Sequence, residues 1–122
     1  NKLIRVHPEA VRTLCTLTWL DLGARHMATA LLHLWDYVEA ATRIEMQELA
    51  GDQLFEMARI APQAEFLVAL ADGLDALDLE DQASQVRGWA GPGASPDVIQ
   101  DDYQLSAACL KAAIQSNAPR AD

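Results

Sequence analysis

The sequence predicts an all-α protein: antiparallel helix pairs stacked as a short superhelix, with a C-terminal helix closing the stack. Three observations carry this. Ala and Leu supply 39 of the 122 residues, whereas Val, Ile and Thr supply 16, a balance that favours helix over sheet. Apolar residues recur at i, i+3, i+4 and i+7 along most of the chain. All five prolines fall where helices should begin or end, and Pro breaks helix interiors but fits first turns. The length suits one domain spanning residues 1–122, with residues 117–122 frayed.

Seven helices are expected. The first covers about 8–22, with Val11, Leu14, Cys15, Thr18 and Leu22 in one stripe and Gly23 ending it. The second covers 24–35, with Met27, Leu31 and Leu34 on one face and Ala28, Leu32 and Trp35 on the next. No Gly or Pro lies between 24 and 50, which also allows one continuous helix. Asp36 and Glu39, however, have the spacing of a capping box, so a turn is placed at Asp36 and a third helix at 37–50. Gly51 marks the next turn, and a short fourth helix (52–60) carries Leu54, Phe55, Met57 and Ile60. The fifth runs from Pro62 to Leu77 on Leu67, Leu70, Leu74 and Leu77. Asp78 caps the sixth (79–90), whose stripe is Leu79, Ala83, Val86 and Ala90. After the loop at 91–96, Ser95 and Pro96 open the seventh, to about Ser116, with Ile99, Tyr103, Leu110 and Ile114 inward. Turns at Gly23, Gly51 and Asp78 recur at near-equal intervals, the pattern of a helical repeat.

Charge excludes some functions. Eighteen acids against nine bases give −9, and no basic cluster is available to neutralise phosphates or anionic lipid. Neither nucleic acid nor membrane is therefore expected as a partner. Residues 65–102 hold nine of the acids and one base, Arg87, making either a solvated surface or a docking face for a basic partner. Asn1–Arg5 lacks the apolar core of a signal peptide, and two isolated cysteines suit a reducing compartment, so a cytoplasmic protein is expected.

Chemistry-bearing motifs are sparse. His26 and His33 lie seven residues apart, too far for one helix to chelate a metal. The acids of 72–81 lack the glycine of a calcium loop. No serine sits in a nucleophile motif with His, and Cys15 and Cys109 read as buried thiols. No cofactor, no metal and no enzymatic activity are predicted. A partner-binding surface remains. On the pair architecture the first helix of each pair lines a hollow, placing Trp19, Ile44, Phe66, Leu67, Leu70 and Leu74 near it.

These residues carry a likeness. Trp19-Leu20-Asp21-Leu22-Gly23 followed by Ala28 resembles a tetratricopeptide glycine turn with its small crossing residue. Leu67, Leu70-Ala71 and Leu74, with Ala83 and Ala90, match the packing positions of another repeat. Pro96 stands one residue late for the closing proline, and Glu56 stands where a small residue is expected. The chain is similar to the small tetratricopeptide-like chaperones of type III secretion, which hold needle subunits or other early substrates. That resemblance covers His7–Gly23 and Phe66–Gly88. It implies a chaperone or adaptor that sequesters a partner's amphipathic helix in an apolar groove, alone or as an oligomer. Two other readings stay open: an acidic inhibitor or immunity-type protein meeting a basic target, and a small helical enzyme or regulator with an internal apolar pocket.

Overall fold

The computed structural model describes residues 7–92 and 95–117. The described residues form six helices and no strand: α1 Pro8–Gly23, α2 Met27–Arg43, α3 Gln47–Ile60, α4 Ala64–Ala76, α5 Glu80–Ala90 and α6 Asp102–Asn117. The expected all-α arrangement of packed helix pairs is what forms. Residues 118–122, most of the expected frayed end, lie outside the described residues, as do Gly93 and Ala94 of the expected loop. Asn117, expected to fray, is the last residue of α6.

α1 starts on Pro8, whose missing N–H is no loss in a first turn. It buries Val11, Cys15, Thr18, Trp19 and Leu22, the expected stripe with Trp19 added and Leu14 half-buried. α1 and α2 form an antiparallel hairpin, and α4 and α5 form another. α4 contributes Phe66, Leu67, Leu70 and Leu74 to the core, and α5 contributes Ala83 and Val86. α3 joins the two hairpins. Its consecutive residues Gln53, Leu54 and Phe55 reach Trp19 of α1, Gly73 of α4 and Trp89 of α5 respectively.

Three interhelix turns share one geometry. Arg25, Glu45 and Asp78 sit at φ 59°, 60° and 64°. In each turn the next residue's N–H reaches back across the helix end: His26 to Asp21 O, Met46 to Ala41 O, and Leu79 to Leu74 O, at 2.8–2.9 Å. This is the Schellman closure, built here on non-glycine residues.

That closure corrects several expectations. α2 runs through Asp36, which is exposed in mid-helix, and the turn comes at Ile44–Met46. Burial of Tyr37, Val38 and Ala41 on the same face as Leu34 holds α2 together there. Residues 37–43 of the expected third helix continue α2, and residues 47–50 join the expected fourth helix in α3, with Gly51 inside it. Gly51 and Gly23 are both helical and serve close approach rather than turning: a Cβ on Gly51 would collide with Leu79 Cδ1. Asp78 is the left-handed turn residue, and α5 starts after Leu79 with no side-chain cap.

Ser95 and Pro96 do not start the last helix. Residues 95–100 instead cross the end of α3, where Asp97 N–H donates to Arg59 O and Ile99 N–H to Ile60 O, both at 3.0 Å. These bonds satisfy carbonyls that a helix end leaves without partners. The Arg59–Asp97 ion pair (2.6 Å) fastens the same crossing. α6 then begins with Asp101 accepting from the Gln104 N–H at 2.9 Å.

α6 returns to lie antiparallel against α1. Gly23 faces Ser106 and Cys109, while Ser116 shares a hollow with Val11 and Cys15. Arg25 ties this closure. Its Nη2 donates to Gln100 O (2.8 Å), and its Nε lies 2.5 Å from Asp102 Oδ1, angled as an ion pair rather than a hydrogen bond. The inward side of α6 is Leu105, Cys109 and Ala113. Tyr103, Leu110 and Ile114, expected inward, point to solvent.

Candidate functional site

A cleft of about 320 Å³ opens where α1, α3 and α6 meet. Trp19 of α1 forms its floor. Gln53, Glu56 and Ile60 of α3 form one wall, and Ala108, Ala112, Gln115 and Ser116 of α6 the other. The helical register explains the walls. Positions 53, 56 and 60 recur at i, i+3 and i+7 on α3, and positions 108, 112 and 115 at i, i+4 and i+7 on α6, so each set shares a face. Small alanines on α6 leave the space that the cleft occupies.

The floor is fixed. The Trp19 indole N–H donates to Gln53 Oε1 at 2.8 Å, and the Cys15 thiol donates to the same oxygen at 3.4 Å. With its one polar group paired and the residue 3% exposed, Trp19 offers the cleft a small apolar surface and no free donor. Burial pushes the Cys15 thiol up from its ordinary pKa, and pushes Tyr37 beside it up as well. Desolvation disfavours both charged forms, so the group behind the floor is neutral. Glu56 supplies the wall's carboxylate.

The six residues expected to line a groove part company here. Trp19 reaches the cleft. Phe66, Leu67, Leu70 and Leu74 are buried in the core, and Ile44 is half-buried at the end of α2. Leu67 also edges a shallow hollow beside Trp89, Pro92 and Ser95. The face of α4 that carries its leucines packs against its neighbours while Val68 stays exposed, so the leucines hold the fold rather than an open surface.

Sequence reasoning missed Gln53, Ala108 and Ala112. Nothing local marks Gln53, whose role depends on a residue 34 positions away. The paired alanines at 107–108 and 112–113 were the visible signal, since they lighten two sides of one helix. Glu56 was conspicuous as a charged residue where a small one was expected.

Other chemistry-bearing side chains are otherwise engaged. His33 Nδ1 lies 2.5 Å from Asp21 Oδ2 across the α1–α2 hairpin. Arg87 pairs with Asp72 at 2.8 Å and with Asp75 at 2.5 Å, offsetting part of the acidic stretch. Asp78, Glu80 and Asp81 border an open acidic hollow at the α4–α5 turn. Among the described residues no group of three His, Cys, Asp or Glu side chains is placed to hold a metal ion, and no helix is long and apolar enough to cross a membrane.

Among the described residues Leu20 and Val68 are exposed singly, and two groups of large apolar side chains stay open. One is Leu32 and Trp35 on α2; the other is Tyr103, Leu110 and Ile114 on α6. No known protein family, no curated protein and no solved structure matches this chain.

Proposed function

We propose that this chain is a non-enzymatic binding module, a helical chaperone or adaptor, that receives an amphipathic helix of a protein partner at the α1–α3–α6 cleft. The observation that carries this reading is the fixed indole floor between an alanine-lightened wall and a wall ending in Ile60. Such a hollow suits one or two large apolar anchors on successive turns of a helix. Glu56 on the wall and the net charge of −9 favour a partner whose apolar side is flanked by Lys or Arg.

The resemblance of His7–Gly23 and Phe66–Gly88 to small type III secretion chaperones supports a helix as the ligand. The binding surface is reassigned from α4 to the cleft, because α4 is occupied by the core. A cytoplasmic setting, with buried free thiols at Cys15 and Cys109, belongs to the same proposal.

The test is a titration of isotope-labelled protein with amphipathic helical peptides carrying Leu or Phe anchors and either Lys or Glu flanks. The Trp19 indole N–H and the Ala108 and Ala112 methyls are expected to shift, more strongly with Lys flanks. Ala112→Glu should remove the response. Shifts confined to other surfaces, or none across the panel, would refute the assignment.

A further inference from the structure

α6 is apolar on two opposite sides. Leu105, Cys109 and Ala113 pack inward, and on the far side Tyr103 (84% exposed), Ala107, Leu110 (52%) and Ile114 (64%) form a stripe in water. Spacings of four, three and four residues make this the two-position seam of a helix pair. A helix apolar on opposite sides ordinarily lies between neighbours on both. Among the described residues nothing covers the outer side.

The stripe is self-complementary. Its four positions are symmetric about the point midway between Ala108 and Cys109. Laid antiparallel on its own copy, α6 places Tyr103 against Ile114 and Ala107 against Leu110. Each small residue then meets a large one, and the polar Tyr hydroxyl falls at the outer end of the seam. A parallel arrangement would set Ala107 on Ala107 and leave a gap, and would align the two helix dipoles unfavourably.

Charge points to the same occupant. Residues 65–102 carry a net −8, whereas residues 103–117 contain one charged side chain, Lys111. In the antiparallel arrangement Lys111 falls beside Gln104 of the second copy, so no like charges meet. Two chains of −9 can approach on this side without opposing carboxylates. We infer that α6 pairs antiparallel with α6 of a second copy of this chain across a twofold axis, through Tyr103, Ala107, Leu110 and Ile114.

The three large side chains expose roughly 400 Å² per copy, about half of what a standard stable interface buries on each partner. The pair is therefore a weak, concentration-dependent dimer. It leaves the cleft open, because Ala108, Ala112 and Gln115 lie on a different side of α6. The two assignments can fail separately.

Sedimentation equilibrium of the full chain, from about 5 to about 500 µM, reads the proposal directly. The weight-average mass is expected to climb toward twice the chain mass, more readily at about 0.5 M salt than at low salt, since screening relieves the acidic repulsion. Leu110→Glu and Ile114→Lys, both at exposed positions and checked for unchanged helicity, should hold the chain monomeric while peptide binding at the cleft persists. Ala107→Cys combined with Leu110→Cys should oxidise to a dimer linked between 107 of one copy and 110 of the other. A monomer at the highest concentration, a dimer indifferent to Leu110→Glu, or linkage of 107 to 107 would each overturn the inference.

Discussion

Gly23 of α1 and Cys109 of α6 meet so closely that a Cβ on the glycine would stand 2.8 Å from the Cys109 Cβ and 3.3 Å from the Ser106 Cα. Neither atom is the free end of a side chain, so the helices themselves would have to separate. Gly23→Ala is expected to lower stability by about 1–2 kcal/mol, overpacking outweighing the helix-propensity gain. Gly51→Ala is the contrast. There the obstacle is a terminal methyl of Leu79, which can rotate away, and the change should be near neutral. Urea denaturation of both variants checks the pair; equal losses would mean that the α1–α6 crossing is not the tighter one.

Glu45 occupies a left-handed conformation that disfavours any residue with a Cβ. Among the described residues its side chain meets no hydrogen-bond partner, so Glu45→Gly should stabilise the fold by about 1 kcal/mol, read as a rise in melting temperature. Arg25→Gly relieves the same strain yet loses the contacts to Gln100 O and Asp102. Its gain should be smaller or reversed.

The Trp19–Gln53 bond is partly buried and joins α1 to α3. Gln53→Leu leaves the indole N–H without an acceptor and should cost about 1–3 kcal/mol. Indole N–H chemical shift and guanidinium denaturation measure it. An unchanged stability would show that water replaces the lost oxygen.

Alkaline pH provides another handle. Burial pushes the Cys109 thiol up to about 12 and raises Cys15 and Tyr37 in the same direction. These groups bind their protons more tightly folded than unfolded, so their contribution is complete below pH about 8.5 and is lost as pH rises toward 12. The melting temperature is expected to fall progressively over that window. Cys109→Ala should flatten part of the slope, and a slope unchanged by it would place the titration elsewhere.

How far the sequence speaks differs by helix. The stripes of α1, α4 and α5 were legible because a single apolar face meets a single core, and Pro8 and the Leu67–Leu77 run fix the register. The α2–α3 turn was not. Ile44-Glu45-Met46 has no Gly, Pro or Asn to betray a left-handed residue, whereas Gly51, which looks like punctuation, is a contact glycine in mid-helix. On α6 two sets of residues share helical spacing, and bulk suggested the wrong one as inward. Close approach at Gly23 admits only small partners such as Ser106 and Cys109, a constraint that exists in three dimensions alone. For the cleft, Trp19 was foreseeable as a large aromatic on a pair's first helix; its acceptor on α3 was not.

Because α6 lies along α1, α1 keeps one side bare until α6 has been made. Hairpins α1–α2 and α4–α5 can close as they leave the ribosome, but Cys15 and Gly23 gain their final cover only when the final sixteen described residues emerge. Premature termination ahead of Asp101 would thus release a chain with an uncovered first helix, the form most prone to aggregate or to need a holder of its own.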